Sequence, residues 1–304
     1  MTGDVRVLPV SIAQFALAAD PSFEAFAERV TMVVGEAAAA GSHIVLLPEL
    51  VTTSLLAARD DRDSLTVGDL GRVYREHFPT FTDDLISLYR SLAATTGVVV
   101  AGGSHLRAVG DGRVRNTAFV AFPDGKLVTQ DKLHLTPAEH DMGVEPGDTI
   151  TTFEVDGMSM AVQICADIEF PEVPRLLARR GVQAILCPSL TWNSRGAARV
   201  RIGAHARAME NQVFVLVSTL VGTSGYPHPG AIHGTGNARV AVPLDRVFGK
   251  NDGVLAESED TRTAAVLHTA LDQTQLEASR RDPEPPGFRY VRDDLYRALA
   301  SSAG

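Results

Sequence analysis

Residues Val162–Glu172, VQICADIEFPE, decide how the rest of the chain is read. They carry the end of an apolar run, Met158 to Ile164, into Cys165, then past the acids Asp167 and Glu169 into Phe170-Pro171-Glu172. An apolar run of strand length that passes into a Pro-started helix is the strand-to-helix turn of an α/β fold. Such folds present side chains to a ligand crevice at the ends of their buried strands. Cys165 thus has two readings: a nucleophile at a crevice, or a small core hydrophobe, the commoner fate of a free cysteine.

Outward from this stretch, strand and helix patterns alternate. Val5 to Phe15 reads as a first strand. It loosely resembles a signal peptide ending at Ala16-Leu17-Ala18-Ala19, but Pro9, Ser11 and Gln14 interrupt it and one basic residue precedes it. Phe23 to Ala40 has helical spacing and stops at Gly41. His43 to Leu47 is a short strand ending in Pro48-Glu49-Leu50. Asp60 to Asp69 is a polar surface loop. Thr82 to Thr96 is a helix with Thr82 as its N-cap, followed by a strand at Val98 to Gly102. Pro123-Asp124-Gly125 turns one hairpin and Asp156-Gly157 a second. Lys132 follows the first hairpin, and residues Leu133 to Gly147 read as irregular. Pro171 to Arg180, Ala197 to Asn211 and Leu271 to Arg281 read as helices, and the tail after Pro283 as extended or weakly helical. Two hairpins make the sheet mixed. With no linker or repeat, the pattern is one α/β domain over residues 1–280, helices flanking stacked sheets, plus a tail at 281–304.

Composition excludes several classes. The chain has 304 residues, 45 % of them apolar and 21 % charged, with a net charge of −9. No Lys/Arg cluster is present, so nucleic acid and anionic membranes are poor partners. No apolar run approaches the ~20 residues that span a bilayer. Two cysteines, Cys165 and Cys187, are too few for a disulfide scaffold, which points to reduced thiols and a cytoplasmic location.

Three polar residues each end an apolar run: Glu49, Lys132 and Cys165. A carboxylate, an ammonium and a thiol are the groups that covalent attack on an amide-type carbon requires. A thiol with its ordinary pKa of ~8.5 is a few per cent thiolate at neutral pH. A carboxylate in reach removes the proton during attack. A nearby lysine lowers the thiol pKa and holds the oxyanion. Taken singly, each has a plain alternative: a cap for Glu49, a solvated strand end for Lys132, core for Cys165.

The blocks Leu46-Leu47-Pro48-Glu49, Asp131-Lys132-Leu133-His134-Leu135 and Ile164 to Glu172, with Arg207-Ala208-Met209-Glu210-Asn211 after them, resemble the signature blocks of the nitrilase (carbon-nitrogen hydrolase) superfamily in order and spacing. The resemblance covers roughly residues 5 to 270. It implies an α-β-β-α sandwich of two mixed sheets and an amidase-like hydrolase. Glu49 is then general base and acid, Lys132 the oxyanion stabiliser and Cys165 the nucleophile. It implies a second glutamate in the loop after the lysine, matched by Glu139, which orients substrate or water. It further implies a homodimer or higher homo-oligomer, and neither cofactor nor metal; the tail at 281–304, beyond the resemblance, is a candidate to pack across a subunit interface. Ala166 stands where relatives often carry an aromatic or acidic residue, which widens the space beside the sulfur, and Trp192 and Asn193 are candidates to line the pocket.

Amide hydrolysis, nitrile hydrolysis, N-carbamoyl hydrolysis and acyl transfer all run on such a triad and stay open at this level, as does an inactive scaffold. A GxSxG elbow, a Walker loop and GxGxxG are absent. His228 and His233 lack the Cys or carboxylate partners of a metal site.

Overall fold

The computed structural model describes residues 6–228, 230–284 and 290–302. Val5 and residues 285–287 of the Pro-rich break lie outside the described residues. The apolar N-terminal run is strand β1 (Val7–Leu17), with β2 (Ile44–Leu46), β3 (Val99–Gly110), β4 (Arg113–Ala121) and β5 (Leu127–Asp131) beyond one edge of it. Beyond the other edge come β6 (Thr152–Val155), β7 (Met158–Val162), β8 (Ala184–Ser189) and β9 (Phe214–Thr223). The strand order is β5-β4-β3-β2-β1-β9-β8-β7-β6. The short strands β10 (His233–Gly234) and β11 (Arg239–Ala241) pair with β9, β12 (Val254–Glu257) with β11, and β13 (Ala265–Asp272) with β1. Parallel pairing of Gln14–Leu17 with Thr219–Gly222 joins the two halves of the sandwich into one hydrogen-bonded network.

Period-two alternation builds the layers. In β1, Leu8, Val10 and Ile12 face one apolar cluster while Ala13, Phe15 and Leu17 face another. The same split divides Ile44 and Leu46 from Val45 and Leu47, and Ala118 and Val120 from Phe119 and Ala121. The first cluster also holds Phe153, Met160 and Leu186 from the other half of the sheet, so it is the filling between the two halves. The second lies under helices α1 (Phe23–Ala39), α2 (Leu70–Glu76) and α3 (Thr82–Thr96). After the short α4 (Pro137–Asp141), α5 (Glu172–Arg179), α6 (Ser194–Asn211) and α7 (Gln273–Arg281) cover the outside of the second half. This is an α-β-β-α arrangement: a mixed sheet folded on itself with helices on both outer faces. The tail forms a helix, α8 (Asp293–Ser302), with Asp293 paired to Arg179 of α5.

Three local expectations need correction. Thr82 is not an N-cap: a 3-10 turn at Phe78–Phe81 runs straight into α3, and the Thr82 hydroxyl donates to Pro79 O instead. The polar stretch Asp60–Asp69 contains 3-10 turns at Arg62–Ser64 and Val67–Asp69. The irregular stretch 133–147 contains α4, started by a capping box in which Thr136 and Glu139 satisfy each other's backbone N–H.

Gly102-Gly103-Ser104 shapes the wall that carries Glu49. A register shift in the β3–β4 ladder falls between Ala101 and Ser104. There Ser104 N donates to Pro48 O at 3.1 Å and Leu50 N donates to Ser104 Oγ at 3.1 Å. Gly103 has φ +70°, and a Cβ on it would lie 1.8 Å from Pro48 O. Gly103→Ala must therefore push Pro48 and Glu49 away. It is expected to cost at least about 2 kcal/mol of stability and to lower activity, as calorimetry alongside a rate assay would show.

Candidate active site

Each candidate side chain stands where backbone geometry breaks off a strand. Glu49 follows β2, and its neighbour Leu50 sits at φ 47°. Lys132 follows β5; its N–H donates to Asn116 O at 2.8 Å and its carbonyl accepts from Gly147 N at 2.7 Å. Cys165 opens a 3-10 turn, Cys165–Glu169, three residues past the end of β7, and has φ 47°. The left-handed region costs a residue with a side chain about 1–2 kcal/mol, so the surrounding contacts must hold that turn in place. Asp167 does so. Its fully buried carboxylate accepts from Ile164 N (3.0 Å), Leu133 N (3.2 Å), His134 N (2.7 Å) and His134 Nδ1 (3.0 Å), tying the cysteine turn to the lysine segment.

Glu49, Lys132, Glu139 and Cys165 line one cavity of about 330 Å³. Lys132 Nζ donates to Glu49 Oε1 and to Glu139 Oε2, each at 2.7 Å. Its ammonium has three protons, so one remains for the cavity. Glu49 Oε1 accepts a second bond from Asn116 Nδ2 (3.0 Å), and Oε2 accepts from Leu190 N (2.9 Å). Glu139 Oε2 also takes the N–H and hydroxyl of Thr136, both at 2.9 Å. The Cys165 thiol donates to Leu190 O at 3.7 Å.

The electrostatics follow from burial and from two carboxylates facing one ammonium. Burial raises the Glu49 pKa, against the pull of Lys132, and the charge of Glu139 raises it further. For Glu139, burial is outweighed by Lys132 and its hydrogen bonds, and the pKa falls. Burial works against the Lys132 charge, but Glu49 and Glu139 outweigh it and raise its pKa. Burial and the Glu49 carboxylate push the Cys165 thiol well above its usual value. Lys132 pulls it down, as expected, but by less than burial and Glu49 push it up. A thiol raised in this way keeps its proton at rest.

Of the expected pocket residues, Ala166, Trp192 and Asn193 all line the cavity. Trp192 is 44 % exposed, which puts it at the mouth. The Asn193 Oδ1 caps α6 by accepting from Gly196 N at 2.9 Å, so only its amide NH₂ is left for a ligand. The sequence reading missed Asn116, Asp167, and the Glu169–Arg199 ion pair (3.2 Å) on the cavity wall. Cys187 is fully buried against Ser189, as expected of a core thiol.

A sequence profile of the family described as carbon-nitrogen hydrolase matches residues 10–281. A Bacillus subtilis protein named "Probable hydrolase YhcX" is 32 % identical over 94 % of this chain, which spans only 54 % of that protein's length. Omega-amidase NIT2-A of Xenopus laevis is 27 % identical over 88 % of this chain and 90 % of its own. An (R)-stereoselective amidase of Pseudomonas sp is 31 % identical over 61 % of this chain and 60 % of its own. Among solved structures, Saccharomyces cerevisiae Nit3, described as a nitrilase superfamily member, superposes with a TM-score of 0.74 at 21 % identity, covering 94 % of this chain and 97 % of its own. At that identity the likeness speaks for the fold alone. Among the described residues, no helix is long and apolar enough to cross a membrane.

Proposed function

Because the chain belongs to the carbon-nitrogen hydrolase family, we propose that it hydrolyses a non-peptide C–N bond of a small amide through a thioester on Cys165. The observation that carries this reading is the shared cavity: a neutral thiol, a carboxylate with a raised pKa and an ammonium with one unused proton. The relatives named amidases favour amides over nitriles or acyl transfer.

The steps follow from the hydrogen bonds. Glu49 Oε1 already holds two donors, while Oε2 holds one and keeps a lone pair, so Oε2 takes the thiol proton as the S–C bond forms. The carbonyl oxygen becomes an oxyanion against Lys132 Nζ and the N–H of Ala166 in the first turn after the nucleophile. Collapse breaks the C–N bond, and Glu49 passes its proton to the leaving nitrogen. A water then attacks the thioester and gives Glu49 a proton. Collapse of that second intermediate returns the proton to sulfur and releases the acid. Glu139, whose Oε2 takes three donors and whose charge Lys132 and those bonds favour, keeps Lys132 charged and in place.

Two results are expected. Since only ionised Glu49 accepts the proton, kcat/KM should rise with pH through an ionisation above the ordinary glutamate value of 4.5. Glu49→Gln cannot cycle a proton and should lose at least about 10²-fold in kcat, with the acid limb gone from the profile. A screen of ω-amides, N-carbamoyl compounds, aliphatic nitriles and N-acyl amines, read by ammonia or amine release, tests the substrate class. Turnover of nitriles with none of amides would contradict the proposal.

A further inference from the structure

The side chain of Asn116, on β4, is fully buried and touches both glutamates at once. Its Nδ2 donates to Glu49 Oε1 at 3.0 Å and to Glu139 Oε1 at 2.9 Å. Its backbone carbonyl accepts the backbone N–H of Lys132 at 2.8 Å. The four side chains thus close a ring: ammonium, carboxylate, amide, carboxylate. Within the ring, two negative charges share one positive charge, a net −1 out of water. Among the described residues, Asn116 supplies the only neutral donor common to both acids.

The side-chain Oδ1 of Asn116 is buried without a hydrogen-bond partner. Buried acceptors are normally paired, and a residue selected only to fill space at this point in a strand would be apolar. What fixes the orientation of this amide is its two bonds to the carboxylates.

We propose that Asn116 is a positioning residue that holds both carboxylates against Lys132 and leaves Glu49 Oε2 as the acceptor of the cysteine proton. This rests on the reading of Cys165 as nucleophile and Glu49 as base. Removing a donor from a carboxylate disfavours its charged form, so loss of the amide NH₂ makes the pair hold a proton to higher pH. The other titratable groups around Glu49 are Lys132, Glu139, Cys165, Cys187 and, on α2, Tyr74; Glu169, farther along the cavity wall, is paired with Arg199. Burial pushes Cys187 and Tyr74 up to about 12, and it also raises Cys165 well above its usual value. Lys132 stays charged between its carboxylates. On β3, His105 is pushed down to about 3 by burial. None of these changes charge in the neutral range, so an acid limb there belongs to the Glu49–Glu139 pair.

Alkylation by iodoacetamide, followed against pH by intact mass and peptide mapping, reads this without a substrate. In wild type, Cys165 should react at least about tenfold faster than Cys187, with a rate that climbs through an acid limb. Asn116→Asp keeps the shape but turns the donor into a third acid. Asn116→Ser is the second variant, with a hydroxyl too short to bridge both carboxylates. In both, the limb should move up by about one pH unit or more, and the rate at neutral pH should fall about tenfold. A limb unmoved in either folded variant, whatever the melting temperature, would reduce Asn116 to packing and overturn the proposal. If wild-type Cys165 reacts no faster than Cys187, the nucleophile reading fails and the role of Asn116 falls with it.

Discussion

Cys165→Ala is expected to reduce amide hydrolysis at least about 10⁴-fold while the protein stays folded. The sulfur is the only group in the cavity placed to form the acyl bond in this scheme, so nothing downstream of attack survives its loss. Folding should survive because the interactions that shape the turn do not involve the thiol. Asp167 grips Ile164, Leu133 and His134 through backbone N–H groups, and Arg207 Nε donates to Ile168 O at 3.0 Å from α6. The φ of 47° costs alanine what it costs cysteine. Rates of amide release and a thermal melt, read together, check this. A variant within tenfold of wild type would place the nucleophile elsewhere.

Lys132→Met is expected to damage both stability and catalysis. The substitution keeps the length of the stem and removes the charge that two buried carboxylates face at 2.7 Å. Removing one partner of a buried ionic cluster costs about 3–5 kcal/mol, and loss of the oxyanion donor costs about 10²–10³ in rate. The stability loss has a pH signature. Without the ammonium, Glu49 and Glu139 both have folded-state pKa values above their unfolded values. Groups of that kind stabilise below the unfolded carboxyl pKa, and that contribution is lost as pH rises through the folded value. The gap in melting temperature between variant and wild type should therefore be widest at neutral pH and narrow towards pH 5. A gap independent of pH would mean that the two acids are not charged against Lys132.

Much of this site could be read from residue order, because Glu49, Lys132 and Cys165 each interrupt an apolar run at a strand exit. What that reading lacked came from tertiary contact. Asn116 lies in a strand whose alternation only marks it as pointing between layers; that it meets two acids depends on where β2 and α4 end. Asp167 looked like one of two acids near the cysteine, and only the lysine segment passing beside it makes it a clamp. Glu139 did carry a local signal, the Thr-x-x-Glu capping pattern from Thr136, which turns an apparently irregular stretch into α4. Thr82 failed as a cap because the preceding 3-10 turn leaves no non-helical residue there for a hydroxyl to cap. The net rise of the Cys165 pKa was not legible for a related reason: sequence names the neighbours of a thiol, not how completely water is excluded from it.

The most direct test is to acid-quench the enzyme during turnover of an amide it hydrolyses and map the peptides by mass. An acyl mass is expected on the peptide carrying Cys165, lost again when turnover is allowed to finish and absent from Cys187. Steady ammonia release with no acyl group ever found on Cys165, or with the acyl group on another residue, would contradict it.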